Sequence, residues 1–435
     1  MTATLMISPH MKTLSVLLVV AFAHSALAQT DVAKPAPPAI DKRFQLPESD
    51  EGLPGAGPIR RYEWFQKTWA QRRSTFANRM ARDQGSVVFL GDSITQGWGD
   101  DLGGAFPGVR VANRGISGDT TRGVLLRLQE DVLSLNPTAV VLLIGTNDLE
   151  EKADPETIAG NVKPILAEMK KNDAKMPIVL CQVMPSSESK KRPADKIKKV
   201  NELYAAAVKG DKQVTFVETW TLFADPQGDA KKEEFPDLLH PNKEGYAKWG
   251  AAIRPILATL GFIETQPDDF TPEPGFVSLF NGRDLTGWGY RTNNFDGLTA
   301  SSEGRYVAKN GRLVVTTPPE GRKIAQLYTT REFPKNFVLK LEFRATPNAD
   351  SGVFIRKPQL QCRDYPLAGP YKTLTKYKPQ DWNEIVATVK DGVAHCTCNG
   401  EVLEAALKVP ETGPIGLEGD RGQMEYRRIR LQELE

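Results

Sequence analysis

A serine that leaves the end of an apolar run through a glycine-containing turn stands where an acyl-transfer nucleophile would stand. Gly91-Asp92-Ser93-Ile94-Thr95 does so directly after Val87-Val88-Phe89-Leu90. A serine hydroxyl is a weak nucleophile until a base takes its proton. Imidazole suits that task near neutral pH, since its ordinary pKa is about 6.5. The chain has four histidines. His10 and His24 fall in an N-terminal leader-like segment and His395 in a different domain, which leaves His240. It sits in Asp237-Leu238-Leu239-His240-Pro241, where Asp237 would fix the imidazole tautomer and stabilise the imidazolium. Each motif alone also fits a plain turn or a helix cap.

Two further stretches lie between them, Gly115-Ile116-Ser117-Gly118-Asp119-Thr120-Thr121 and Leu143-Ile144-Gly145-Thr146-Asn147-Asp148. In this order the four motifs resemble the SGNH, or GDSL-type, hydrolase family, whose four named residues match Ser93, Gly118, Asn147 and His240. Residues 113–149 are especially similar to the platelet-activating-factor acetylhydrolase and thioesterase/lysophospholipase branches, and the resemblance spans roughly residues 60–263. It implies a serine esterase with Ser93, Asp237 and His240 catalytic. The oxyanion hole would come from the backbone N–H groups of Ser93 and Gly118 and the Asn147 side-chain amide. Asn147 also fits a turn-opening residue. Asp92 and Asp148 read as turn-stabilising carboxylates, and Asp119 and Thr120 as caps of a helix bearing Leu125, Leu128 and Val132. This chemistry calls for no cofactor and no metal.

Such groups need a scaffold that delivers them to one place. Apolar runs at 87–90, 109–112, 139–144, 178–183 and 214–217 alternate with helical patterns at 155–171, 194–209 and from Asn242 to Gly261. Pro164 should bend the first of these helices. Alternating strands and helices predict a three-layer α/β/α domain with a parallel sheet. The motifs then gather at the C-terminal ends of its strands.

After residue 275 the pattern changes to short alternating strands, with hairpin turns at Asp391-Gly392 and Asn399-Gly400, which predicts an antiparallel β-sandwich of jelly-roll type. Phe280-Asn281-Gly282-Arg283-Asp284-Leu285-Thr286-Gly287-Trp288, Asp350-Ser351-Gly352-Val353-Phe354-Ile355-Arg356 and Gly413-Pro414-Ile415-Gly416-Leu417 resemble the 3-keto-disaccharide hydrolase (concanavalin-like) family. Gln359 and Glu418 depart from that family's pattern, so no catalytic residue is assigned there. If the sandwich binds glycan, Trp288, Tyr290, Tyr365, Tyr371 and Trp382 are the aromatic candidates, although Trp288 and Trp382 fit the sandwich core at least as well.

The domain plan is a signal peptide at 1–28, a flexible tether at 29–59, the hydrolase at 60–263, a linker at 264–274 and the sandwich at 275–435. The leader has a short apolar core and a small-residue Ala26-Leu27-Ala28 exit, and it implies a secreted or periplasmic protein. No later stretch reads as a membrane span. A formal charge of +2 over 435 residues leaves no basic footprint for nucleic acid. Of the four cysteines, Cys181 reads as a buried thiol, while an oxidising compartment permits Cys362 to pair with Cys396 or Cys398.

The expected activity is hydrolysis of short-acyl esters, acetyl above all, on a small-molecule or polysaccharide carbohydrate, with the tethered sandwich holding the glycan near Ser93. A lysophospholipase or thioesterase, a glycoside-cleaving C-terminal domain and a glycan-binding protein are the alternatives.

Overall fold

A computed structural model of the chain describes residues 41–316 and 325–435. The stretch expected to be a signal peptide and the first part of the expected tether lie outside the described residues. The hydrolase half contains β1 (Val87–Gly91), β2 (Val111–Gly115), β3 (Ala139–Leu143), β4 (Ile178–Cys181) and β5 (Val214–Val217). They form one parallel sheet in the order β2-β1-β3-β4-β5. Its helices are α1 (Glu63–Asp83), α2 (Ser93–Gly97), α3 (Thr121–Asp131), α4 (Thr146–Glu150), α5 (Pro155–Asn172), α6 (Ala194–Ala207), α7 (Thr219–Phe223) and α8 (Lys243–Leu260). Both sheet faces are covered, as the apolar runs require. Val88, Leu90, Val140, Leu142 and Leu180 pack with Ile158 and Val162 of α5 and Ile197 of α6. Their neighbours Val87, Phe89, Val141 and Val179 point the other way, onto Trp249, Ile253 and Ile256 of α8.

Two details differ from the sequence expectation. β2 occupies 111–115 rather than 109–112, because Asn113 and Arg114 lie inside the strand with both side chains buried. Asn113 Nδ2 donates to the carbonyls of Thr95 (2.6 Å) and Gly99 (2.9 Å), and Arg114 pairs with buried Asp83 at 2.9 Å. Polar residues with such partners look like a strand end in a sequence. The run at 178–183 gives a strand only to Cys181, since the Val183 amide turns to Asn201 Oδ1 at 2.7 Å.

The described part of the expected tether, 41–59, is held against the hydrolase. Phe44 is buried, Asp50 pairs with Arg122 at 2.9 Å, and the Asn161 side chain brackets both backbone polar groups of Ala56 (2.9 and 2.7 Å).

The C-terminal half is an antiparallel sandwich of an eight-stranded and a six-stranded sheet. In the strand Phe337–Ala345, Phe337, Leu339, Leu341 and Phe343 face the core between half-exposed Val338, Lys340 and Glu342. Both expected hairpins are present, with positive φ at Asp391 and Gly392 and at Asn399 and Gly400, as a two-residue turn matching the strand twist requires. Cys362, Cys396 and Cys398 are buried free thiols, so the pairing permitted by the sequence is not made. Cys181 is likewise free, and burial pushes its thiol up to about 12.

The linker is clamped. Glu264 accepts from Arg344 (2.8 Å) and Arg312 (2.6 Å), and Arg344 reaches on to fully buried Glu425 at 2.5 Å. Gln423 Nε2 donates to the Pro255 carbonyl (3.1 Å) and to Thr259 Oγ1 (2.9 Å) of α8. At the far end Glu273 is held by Arg430 at 2.6 Å. The acidic residues that read as a solvated spacer are partners for arginines of the sandwich, so the two halves share a polar interface rather than a loose tether.

Candidate active site

The chain runs from β1 to β2 on one side of the sheet and then to β3 on the other. A crevice therefore opens at the C-terminal ends of β1 and β3. Ser93 is the first residue of α2, immediately beyond β1, and Asp92 caps that helix by accepting from the Ile94 amide at 2.9 Å. The turn is tight enough to demand glycine at 91. An added Cβ there would lie 2.3 Å from the Leu143 carbonyl oxygen.

His240 lies 147 residues away, yet its Nε2 is 3.0 Å from Ser93 Oγ. Its Nδ1 is 2.8 Å from Asp237 Oδ2. Since a carboxylate can only accept, the proton sits on Nδ1 and Nε2 faces the serine. The other oxygen of Asp237 accepts from the amides of Leu239 (3.0 Å) and His240 (2.7 Å), closing the turn on itself. Leu238 takes positive φ (62°) inside that turn, a strained conformation for a leucine, and Ser186 Oγ pins its carbonyl at 2.7 Å. Burial pulls the Asp237 pKa up, but the hydrogen bonds from His240 and Leu239 outweigh it and leave the carboxyl below its ordinary value. The serine and histidine segments are tied together: Tyr246 of α8 donates to the Ile94 carbonyl at 2.9 Å, and Trp98 stacks on Trp249 at 4.5 Å.

Gly118 and Asn147 meet Ser93 in the same cleft, of about 470 Å³. Gly118 has φ +86°, and an added Cβ would come within 2.5 Å of the Trp64 ring and 3.0 Å of Phe65. The Ser117 amide donates to Gln96 Oε1 (2.7 Å) and the Asp119 amide to the Ile116 carbonyl (3.0 Å), which brackets the Gly118 N–H at the cleft wall. One hydrogen of Asn147 Nδ2 goes to the Asp119 carbonyl at 2.9 Å, leaving the second for a ligand.

Of the roles expected for the neighbouring residues, the caps by Asp92 and Thr120 hold, whereas Asp119 turns to Arg127 instead of capping α3 and Asp148 braces the distant Thr121 rather than its own turn. Thr120 caps α3 through the Gly123 amide, and Asp148 accepts from the Thr121 amide (3.0 Å) and hydroxyl (2.5 Å). Burial raises Asp92 and Asp119 to about 6 and Asp148 to about 7. Asp119 is nonetheless paired with Arg127 at 2.8 Å, and both side chains are fully buried.

Several cleft residues were not singled out from the sequence. Buried Arg192 donates to Asn147 Oδ1 (2.9 Å), the Thr146 carbonyl (3.0 Å) and Glu150 (2.8 Å), and so fixes which end of the Asn147 amide faces the cleft. Arg60, Trp64, Lys190 and Lys191 complete the rim. A cavity of similar size, about 520 Å³, lies around Trp220 and Gln423 and contains none of the motif residues.

Of the aromatic residues expected to contact glycan on the sandwich, two are enclosed in its core and three are half-buried. Trp288 and Tyr365 are core residues with no exposed ring. Trp382 is half-buried and packs against the guanidinium groups of Arg344 (4.6 Å) and Arg427 (4.0 Å). Tyr290 packs edge-on against Phe295 and bonds Glu303, and Tyr371 packs edge-on against Tyr365 and bonds Glu404. Large apolar rings on inward-facing strand positions are drawn into the core. None of the described helices is long and apolar enough to cross a membrane.

Residues 89–248 match the GDSL-like lipase/acylhydrolase family, and residues 275–432 match the 3-keto-alpha-glucoside-1,2-lyase-like domain. The chain is 28% identical over 199 residues to platelet-activating factor acetylhydrolase IB subunit alpha1 of Pongo abelii, covering 44% of this chain and 84% of that protein. To the alpha2 subunit of Homo sapiens it is 27% identical over 208 residues, covering 46% and 87%. A GDSL-like lipase from Bacteroides thetaiotaomicron is a solved structure 29% identical to it, with a TM-score of 0.39, covering 43% of this chain and 98% of that one. The chain is an ester-hydrolysing enzyme with a GDSL-like lipase/acylhydrolase domain followed by a 3-keto-alpha-glucoside-1,2-lyase-like domain.

Proposed function

We propose that this enzyme removes short acyl groups, acetyl above all, from carbohydrate esters through an acyl-serine intermediate. Ser93 Oγ attacks the ester carbonyl as its proton passes to His240 Nε2. The carbonyl oxygen takes the negative charge, facing the N–H groups of Ser93 and Gly118 and the second hydrogen of Asn147 Nδ2. The intermediate collapses by breaking the C–O bond to the alcohol, which leaves with the proton from His240. Water then gives a proton to His240 and attacks the acyl-serine, and Ser93 leaves with that proton. Asp237 stays ionised throughout and stabilises the imidazolium.

The observation that carries the choice of substrate is the polarity and openness of the cleft. Of its lining residues only Trp64 and Leu239 are large apolar side chains. A long acyl chain would need apolar walls to leave water, whereas an acetyl group does not. His240 and Asp237 are themselves 42% and 46% exposed, so a bulky alcohol can depart directly into solvent. The names of the relatives, acetylhydrolases, support a short acyl group. The leader-like residues 1–28 support export, where extracellular glycans are met.

The test compares 4-nitrophenyl acetate with the octanoate, and acetylated xylan with a lysolipid, for wild type and Ser93→Ala. Acetate should be preferred and Ser93→Ala should lose nearly all turnover. A serine-directed fluorophosphonate should label Ser93. Preference for octanoate and lysolipid would overturn the short-acyl reading, and an adduct mapped elsewhere would overturn the nucleophile.

A further inference from the structure

We propose that Tyr62 and Trp64 form a platform that stacks the sugar ring of the alcohol half of the ester, in a subsite built onto the cleft of Ser93. This rests on the carbohydrate-esterase reading and goes beyond it by naming the groups that recognise the sugar. Tyr62 and Trp64 are among the most exposed large hydrophobic residues of the described chain, at 53% and 49%. Their rings lie nearly parallel, 8° apart, with centroids 6.3 Å from one another. Leaving two such rings in water forgoes burial that would favour folding, and their place explains it. The cleft of Ser93 adjoins a second depression of about 180 Å³ between these rings, Glu150, Glu151 and Lys191. Trp64 belongs to both, and its ring lies against Gly118 at the oxyanion wall.

Buried neighbours brace the Trp64 side of the platform. The Arg60 guanidinium lies 5.9 Å from the Trp64 ring centroid and is itself buried, bound to Glu150 and, at 2.8 Å, to Glu151. An aromatic face bordered by carboxylates and an ammonium matches a pyranose, which has an apolar C–H face and a rim of hydroxyls that donate and accept. An aromatic face beside carboxylates could also attract a quaternary ammonium. The local charge argues against that: over the linings of the two cavities together, Arg60, Arg192, Lys190 and Lys191 outnumber Glu150 and Glu151. Among the described residues the Lys190 and Lys191 side chains make no ion pair with an acidic residue. A cation would enter a positive field, and a neutral polyol would not be penalised.

The experiment uses the full chain and follows acetate release from methyl glucoside bearing one acetyl group, from ethyl acetate and from acetylcholine. Ethyl acetate reaches Ser93 without a ring to stack. Tyr62→Ala should raise KM for the sugar ester about tenfold with a much smaller change in kcat, so the preference for it over ethyl acetate falls about tenfold, and Trp64→Ala, which also loosens the wall at Gly118, should lose at least as much of that preference. Tyr62→Ala is the safer variant, because that side chain is exposed and makes one long hydrogen bond, 3.4 Å to Glu151. Trp64→Phe should recover part of the preference. A second readout is tryptophan fluorescence of Ser93→Ala titrated with methyl glucoside, where Tyr62→Ala in that background should weaken binding by a similar factor. Equal losses on both esters, unchanged binding in the Tyr62→Ala background, or platform-dependent preference for acetylcholine would overturn the subsite. Full turnover by Ser93→Ala would instead overturn the esterase mechanism, and the titration would still decide the subsite.

Discussion

Replacing Arg192 with alanine tests how the Asn147 amide is aimed. Arg192 is buried and donates to Asn147 Oδ1 at 2.9 Å. A guanidinium cannot accept, so the contact forces Oδ1 toward Arg192 and Nδ2 toward the cleft. A buried hydrogen bond to a charged group contributes about 1.5–3 kcal/mol. The loss of a whole oxyanion donor, about 2.7–4 kcal/mol, sets the ceiling. At about 1.4 kcal/mol per factor of ten, Arg192→Ala should lower kcat roughly ten- to a hundredfold with little change in KM, since the donor acts mainly on the transition state. The charge change is cushioned, because Glu150 keeps Arg60 as a partner. The carbonyls of Thr146 and Lys190 lose their donor, so melting temperatures must accompany the kinetics. The decisive measurement is the double-mutant cycle with Asn147→Ala, read as kcat on 4-nitrophenyl acetate. If Arg192 acts through Asn147, removing it from Asn147→Ala should cost no more than about twofold. Arg192→Lys, with its charge but without the fork, should fall between wild type and alanine. Losses that multiply in the double mutant, or a raised KM with unchanged kcat, would refute the reasoning.

Three other outcomes follow from the same geometry. Ser93→Ala and His240→Ala should each remove nearly all turnover, and the double variant should be little slower than either, since each residue is idle without the other; multiplicative losses would separate them. Gly118→Ala should destabilise by about 1–3 kcal/mol, because an alanine at φ +86° brings its methyl against Trp64 and Phe65; an unchanged urea midpoint would show that the loop relaxes freely. The Asp148 carboxyl is raised to about 7 chiefly by burial, against hydrogen bonds from Thr121. Between its ordinary value and 7 the folded state holds a proton that the unfolded chain has released, so its contribution to stability falls as pH rises, by up to about 4 kcal/mol. The urea midpoint of wild type should therefore drop from pH 5 to pH 8 relative to Asp148→Asn, and parallel pH profiles would contradict the raised value.

Local chemistry written over a few residues was legible in the chain. Apolar runs followed by turn residues located β1 and β3, and hence the exits that carry Ser93 and Asn147. Helical spacing located α5, α6 and α8, and Asp-Gly and Asn-Gly marked two hairpins. With one histidine eligible, His240 could be named without coordinates, because a serine nucleophile needs a base. What the tertiary structure decided was which side chains are buried and which partners they meet, and these depend on segments far apart in the chain. Arg192 reads as one more basic residue in a lysine-rich stretch until the fold closes it over Asn147, 45 positions earlier. Asn113 and Arg114 look like a strand end until Thr95 and Asp83 supply their partners. The same holds for aromatic rings: Trp288 fitted surface and core alike and Tyr365 fitted a surface, yet both are core, whereas Tyr62 and Trp64, at the start of an ordinary helix, stand in solvent beside the nucleophile. Hydrophobicity and backbone preference are properties of single residues and short periods. Burial and ion pairing are properties of contacts, which exist only once distant segments have packed.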